Sequence, residues 1–136
     1  ENILGIDYSE AMLKKAMKKY PGVKFIKGDV ATYKFSKKVD KIISTYSLSM
    51  IGNFKKTILN VKNSLKKDGT FVILDFYKWN GIIKIFYPIF KLWLKKYGVN
   101  PEKNLKSCLK ENFEKVDIHL LNSGYNFIAI AKFPKK

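Results

Sequence analysis

Arginine is missing from this 136-residue chain: all 27 basic residues are lysines, set against 11 acids for a formal net charge of +16. A charge of that size attracts polyanions, either nucleic acid or an anionic membrane face. Base-edge and phosphate recognition favours arginine's planar fork, however, and the lysines are spread along the whole chain as on a solvated surface, so nucleic acid is not the expected partner. Cysteine is nearly absent too. The single Cys108 excludes an internal disulfide and any cysteine-cluster metal site, and reads as a small filler on a helix. No metal is expected. There is no run of about eighteen uncharged apolar residues, which excludes a membrane-spanning helix, and no signal-peptide pattern opens the chain. The expected compartment is therefore the cytoplasm.

What is present is a globular composition, 46% hydrophobic and 15% aromatic, enough for one domain with a real core. Ile3, Leu4 and Ile6 form a short apolar run, as in a strand covered on both faces in a parallel sheet. Asp7 ends it. Ser9 and Glu10 then suit a helix start, and Met12, Leu13, Ala16, Met17 and Tyr20 share one face of a helix over 10–20. Pro21-Gly22 stops it, Val23 to Lys27 reads as a second strand, and Gly28-Asp29 closes that strand. After a loop over 31–38, anchored by Tyr33 and Phe35, residues 39–46 form a third strand whose exit is crowded with hydroxyls. A helix over 53–67 follows, with Ile58, Leu59, Val61 and Leu65 as its stripe, and Asp68-Gly69 ends it with the glycine expected at positive φ. Thr70 to Phe76 is the most convincing strand. Strands and helices alternating in this way imply βαβ units and a parallel sheet.

Beyond residue 77 the character changes. Trp79, Ile82, Ile85, Phe86, Ile89, Phe90 and Trp93 are interrupted by lysines and by Pro88, which would kink or divide a helix there. That apolar surface suits a lid over the sheet, or an interfacial helix over 79–97 in peripheral contact with a membrane. Asn100-Pro101 is expected to open a helix running to Asn112. Residues 115–121 and 125–133, joined through Asn122-Ser123-Gly124, form a closing antiparallel hairpin, with the lone His119 on the second face of its first strand.

Two carboxylates thus stand at strand ends, Asp7 and Asp29. In open α/β sheets ligands bind outside the carboxyl ends of strands, where an acid can hold two ribose hydroxyls at once. Asp7 equally suits a helix-capping role ahead of Ser9. From the strand-acid-helix unit alone both readings stand.

The order of motifs adds a resemblance. Ile3 to Leu13 resembles a "GIDxSxxML" element, Lys27 to Val30 a "GDA" element, Val39 to Ile51 an "FDxVxxxxxLHHI" stretch and Leu65 to Phe76 an "LKPGGxLxxxDF" stretch. All four belong, in this order, to the class I S-adenosylmethionine-dependent methyltransferases, and the chain is most similar to their quinone, phospholipid and small-molecule branch. The resemblance implies a Rossmann-like, mostly parallel sheet flanked by helices with a C-terminal antiparallel hairpin. It also implies S-adenosylmethionine as cofactor: Asp7 would hold the ribose hydroxyls with Tyr8 beside the adenosine, Asp29 would accept from the adenine amino group, Val30 would present its backbone N–H, and Ser44, Thr45 and Tyr46 would line the methionine end. The acceptor would be a small, lipophilic, quinone- or lipid-like molecule, and residues 77–112 a helical substrate cover within a single domain over 1–136.

Departures define the rival readings. The family's glycine-rich "GxGxG" loop follows the strand before this one and no stretch here matches it, so the expectation is an N-terminally truncated, partial domain. Ser49 and Met50 stand where many relatives carry His-His. The alternatives are a truncated or split module that binds without turnover and, second, a nucleic-acid methyltransferase, whose Asn/Asp-Pro-Pro-Tyr type motif is replaced here by Ser44-Thr45-Tyr46-Ser47. Tyr46, Tyr77 and His119 are the candidate bases. None has a partner visible in the sequence, so no catalytic residue is named, and the sequence sets no oligomeric state.

Overall fold

The structure is a computed structural model that describes residues 2–77, 87–96 and 104–135. Its elements run β1 (Leu4–Asp7), α1 (Glu10–Lys19), β2 (Lys24–Lys27), β3 (Val39–Thr45), α2 (Phe54–Ser64), β4 (Leu65–Phe76), α3 (Tyr87–Lys96), α4 (Leu105–Asn112), β5 (Phe113–Leu121) and β6 (Asn126–Pro134). The α/β alternation and the closing hairpin are as the sequence reads. Backbone pairing nevertheless divides the strands in two: β1 and β2 form a parallel pair, and β3, β4, β6 and β5, in that order, form a four-stranded sheet in which only β3 and β4 are parallel.

Local chemistry explains most element ends. Ser9 is the N-cap of α1, its hydroxyl accepting from the Met12 N–H at 3.4 Å, and Glu10 in the first turn with Lys18 and Lys19 in the last complement the helix dipole. Asn53 caps α2 by accepting from the Lys56 N–H at 3.2 Å. Gly5 lets β1 approach β2, since a Cβ there would strike the Phe25 ring.

The core lies on one face of the larger sheet. From Gly69 onward β4 alternates buried with half-buried residues, and its Phe71 and Ile73 meet Ile58 and Val61 of α2, Leu109 of α4, and Phe127 and Ala129 of β6. Burial of each such large side chain stabilises the fold by roughly 1.5–3 kcal/mol. Leu105, Cys108 and Leu109 belong to this core as well. Within the expected 77–112 cover, α4 is therefore bound into the core, whereas α3 shows Ile89, Leu92 and Trp93 to solvent.

Three local expectations are corrected. β1 is not covered on both faces: Ile3 is 57% and Leu4 37% exposed, and β1 pairs with β2 along one edge and with no described strand along the other. α2 ends at Ser64 rather than Lys67, since Leu65 is already extended and pairs with Val39. Gly69 does not adopt positive φ; it is needed because a Cβ would sit 2.9 Å from the Lys66 carbonyl oxygen and 3.0 Å from the Leu65 Cβ. α4 begins at Leu105, where Asn104 caps it by accepting from the Ser107 N–H at 3.4 Å. Pro88 is the second described residue of α3. The expectations for Trp79 to Phe86 and for Asn100 to Lys103 lie outside the described residues.

Candidate functional site

The parallel register of β1 and β2 sets Asp7 opposite Lys27, and the Gly28 N–H donates to the Asp7 carbonyl at 3.0 Å, so the two strands end side by side. Asp7 is exposed. Its Oδ1 accepts from the Ser9 N–H at 2.7 Å, while Oδ2 has no partner among the described residues. One carboxylate oxygen thus organises the start of α1 and the other stays open, so the capping and ligand readings coexist. Asp29 repeats the arrangement: its Oδ1 accepts from the Ala31 N–H at 2.8 Å, and its carbonyl accepts from Thr32 and Tyr33, folding the chain into a tight turn. Val30, in that turn, donates its N–H to none of the described residues. Tyr8, 79% exposed, stands between Asp7 and α1. The structure therefore brings Asp7, Tyr8, Asp29 and Val30 to one end of a strand pair. Open carboxylate oxygens, a backbone donor and an exposed ring suit a neutral ligand with a diol and a heteroaromatic edge.

What holds the Asp29 turn was not apparent from sequence. Asn60 of α2 donates both amide hydrogens, to the carbonyls of Val30 and Tyr33, each at 2.8 Å. A carboxamide in the middle of an amphipathic helix was the available signal, because a half-buried amide requires partners.

Ser44, Thr45 and Tyr46 form a second group, at the carboxyl end of β3. The hydroxyls of Ser44 and Ser47 share a hydrogen bond of 2.7 Å. Tyr46 has φ 50, in the left-handed region, and its N–H donates to the Leu74 carbonyl at 2.8 Å. Its ring packs on Phe76 at 4.9 Å, and Phe76 packs on Tyr125 at 5.4 Å. Burial and the neighbouring Tyr46 push the Tyr125 phenol above its ordinary range. Asp75 is a further residue missed from sequence. It is completely buried, its Oδ2 accepting from the Ser49 N–H at 2.9 Å and its Oδ1 from the Phe76 N–H at 2.8 Å, and it ties the loop after Tyr46 to β4. Among the described residues no strand pairing joins this group to the Asp7 group. Of the other candidate bases, Tyr77 packs edge-on against Phe127 at 5.8 Å as part of the core rim, and His119 is exposed on β5 opposite Ile128. Among the described residues no group of His, Cys, Asp and Glu could hold a metal, and no helix is long and apolar enough to cross a membrane.

Comparison with known proteins gives this geometry a family. A model described as a methyltransferase domain matches residues 1–122. Over 78 residues the chain is 35% identical to the ubiquinone/menaquinone biosynthesis C-methyltransferase UbiE of Campylobacter jejuni, covering 57% of this chain and 33% of that protein. The chain thus spans about a third of the length of the curated relatives it matches. Among solved structures, the PH0226 protein of Pyrococcus horikoshii OT3 superposes with a TM-score of 0.76 at 18% identity, over 98% of this chain and 72% of that one. The N-methyltransferase NodS of Bradyrhizobium japonicum WM9, solved with S-adenosyl-L-homocysteine, superposes with a TM-score of 0.73 at 13% identity, over 97% and 66%. The chain belongs to the methyltransferase domain family and has the class I S-adenosylmethionine-dependent methyltransferase fold.

Proposed function

We propose that this chain binds S-adenosylmethionine and serves methyl transfer to a small lipophilic acceptor, quinone- or lipid-like. The observation that carries the reading is the side-by-side ending of β1 and β2, which presents two exposed carboxylates, Asp7 and Asp29, with the uncommitted Val30 N–H beside them. Asp7 Oδ2 would accept from the ribose hydroxyls and Tyr8 would cover the adenosine. Asp29 would accept from the adenine amino group while Val30 donates to the ring edge. Ser44, Thr45 and Tyr46 would line the methionine end. The cofactor supplies a methyl group on a sulfonium, already activated for transfer. The chain's task is then to orient the acceptor and exclude water, which accounts for a site without an evident general base.

Two features support a lipophilic acceptor. The curated relative UbiE is named for ubiquinone and menaquinone biosynthesis. In this chain α3 exposes Ile89, Leu92 and Trp93 around a shallow hollow that Lys95 and Lys96 also line, an arrangement suited to the anionic face of a bilayer. Within the expected 77–112 cover it is α3 that would deliver the acceptor from there.

Calorimetry with S-adenosylmethionine tests the cofactor reading. The protein should bind it, and Asp7→Asn and Asp29→Asn should each weaken binding about tenfold or more, as expected when a charge-assisted hydrogen bond is lost. Unchanged affinity in both variants would remove the assignment. Binding without methyl transfer to any quinol or lipid acceptor would favour the non-catalytic module. Co-sedimentation with anionic vesicles tests the membrane arm: Leu92→Glu/Trp93→Glu should release the protein, and equal pelleting of variant and parent would count against it.

A further inference from the structure

The hydroxyl of Tyr46, which had no visible partner in the sequence, has one in the fold. Asn126, 3% exposed at the start of β6, donates through Nδ2 to the Tyr46 oxygen at 3.4 Å, and Asn126 Oδ1 in turn accepts from Asn122 Nδ2 at 3.1 Å. The buried amide is fixed at both ends. A phenol oxygen that accepts from Asn126 directs its own proton elsewhere, and among the described residues it donates to none.

The rest of the geometry aims the side chain. Tyr46 is held at φ 50, where a non-glycine residue is strained, by its N–H bond to Leu74 and by its ring contact with Phe76. The residue remains 41% exposed. The half-buried rings of Phe76, tilted 45° to Tyr46, and of Tyr125, edge-on at 72° to Phe76, form an aromatic cluster with it at the carboxyl ends of β3 and β4, where the two serines nearest Tyr46 satisfy each other. An O–H beside such an apolar cluster selects for an oxygen carried on an otherwise apolar ligand.

We propose that Tyr46 orients the methyl acceptor by donating its hydroxyl proton to an oxygen of an otherwise apolar acceptor held beside the Tyr46, Phe76 and Tyr125 side chains, with Asn126 as its positioning residue. The proposal rests on the methyltransferase reading of the same site and adds the residue that holds the acceptor's oxygen. Tyr46 is then the group that touches substrate, and Asn126 acts only through Tyr46.

The test uses two probes of one shape, 1,4-dimethoxynaphthalene, whose oxygens only accept, and 1,4-diethylnaphthalene, which has none. Binding of each to the protein is measured by NMR titration. The protein should prefer the dimethoxy probe about fivefold, the value of one hydrogen bond. Tyr46→Phe should abolish the preference while still binding the hydrocarbon. Asn126→Asp, which can only accept, should draw the phenol proton inward and abolish it too. A preference that survives Tyr46→Phe, or a variant that weakens both probes alike with the ratio intact, overturns the proposal, as does a parent protein that does not discriminate. Failure of the methyltransferase reading is seen separately, as a parent protein that discriminates the probes but binds no S-adenosylmethionine.

Discussion

Replacing Asn60 probes how the Asp29 turn is held in place. The side chain spends both amide hydrogens on the Val30 and Tyr33 carbonyls, each at 2.8 Å, and so fastens the turn after β2 to the middle of α2. Lys38 Nζ, donating to the Asn63 carbonyl at 3.1 Å, is the other side-chain tie from this loop to α2 among the described residues. Two neutral hydrogen bonds contribute about 1–3 kcal/mol together. Val30 and Tyr33 are half-buried, so after Asn60→Ala water can reach their carbonyls and the loss should stay in that range. Asn60→Asp preserves the shape but has no N–H, and sets carboxylate oxygens against two carbonyl oxygens. It should be at least as destabilising as alanine. Urea unfolding with an unchanged m-value gives the stability difference, and calorimetry gives the effect on cofactor affinity, which should fall because Asp29 and Val30 sit in the loosened turn. An Asn60→Asp variant as stable as the parent would refute the bidentate pairing, and one that binds S-adenosylmethionine equally well would separate the turn from the site.

Asp75→Asn should destabilise the fold by roughly 2–3 kcal/mol in denaturant titration, because a buried acceptor of two backbone N–H groups becomes an acceptor of one that turns an NH₂ toward the other; a loss below about 0.5 kcal/mol would contradict the geometry. Tyr125 makes a pH prediction. Its phenol is raised by burial and by Tyr46, so the neutral form is favoured in the fold. That contribution is complete below the ordinary tyrosine range and is lost as pH rises through the raised value. Ultraviolet titration should show a late-ionising tyrosine that Tyr125→Phe removes, and an unchanged titration curve would refute it.

Which features could be read from sequence follows from how far apart their parts lie along the chain. The alternation in β4 and the hairpin of β5 and β6 depend on neighbours within a turn or a pleat, and periodicity carries them. The expected stripes hold only in part: on α1 Leu13 is buried but Met12 and Met17, with Tyr20 after it, are exposed, and on α2 Leu59 is exposed while Ile58 and Val61 are buried, because the described elements cover only a narrow strip of each helix. Asp7 and Asp29 could be found because each ends a strand recognisable on its own. The helix-start role of Asp7 and its open oxygen are both present because a carboxylate has two acceptors and Ser9 uses one. The missed contacts all join distant segments: Asp75 reaches Ser49 across 26 residues, Asn60 reaches Val30 across 30, and Asn126 reaches Tyr46 across 80. None leaves a local pattern, yet each involves a polar residue set among apolar neighbours, Asn60 before Val61, Asp75 between Leu74 and Phe76, and Asn126 before Phe127-Ile128. Burial forces such a group to find a partner, and the partner must come from whatever the fold brings near. In this chain those partners are the turn that carries Asp29, the loop that follows Tyr46, and Tyr46 itself. The same requirement that satisfies the buried polar groups thus positions the two ends of the candidate site.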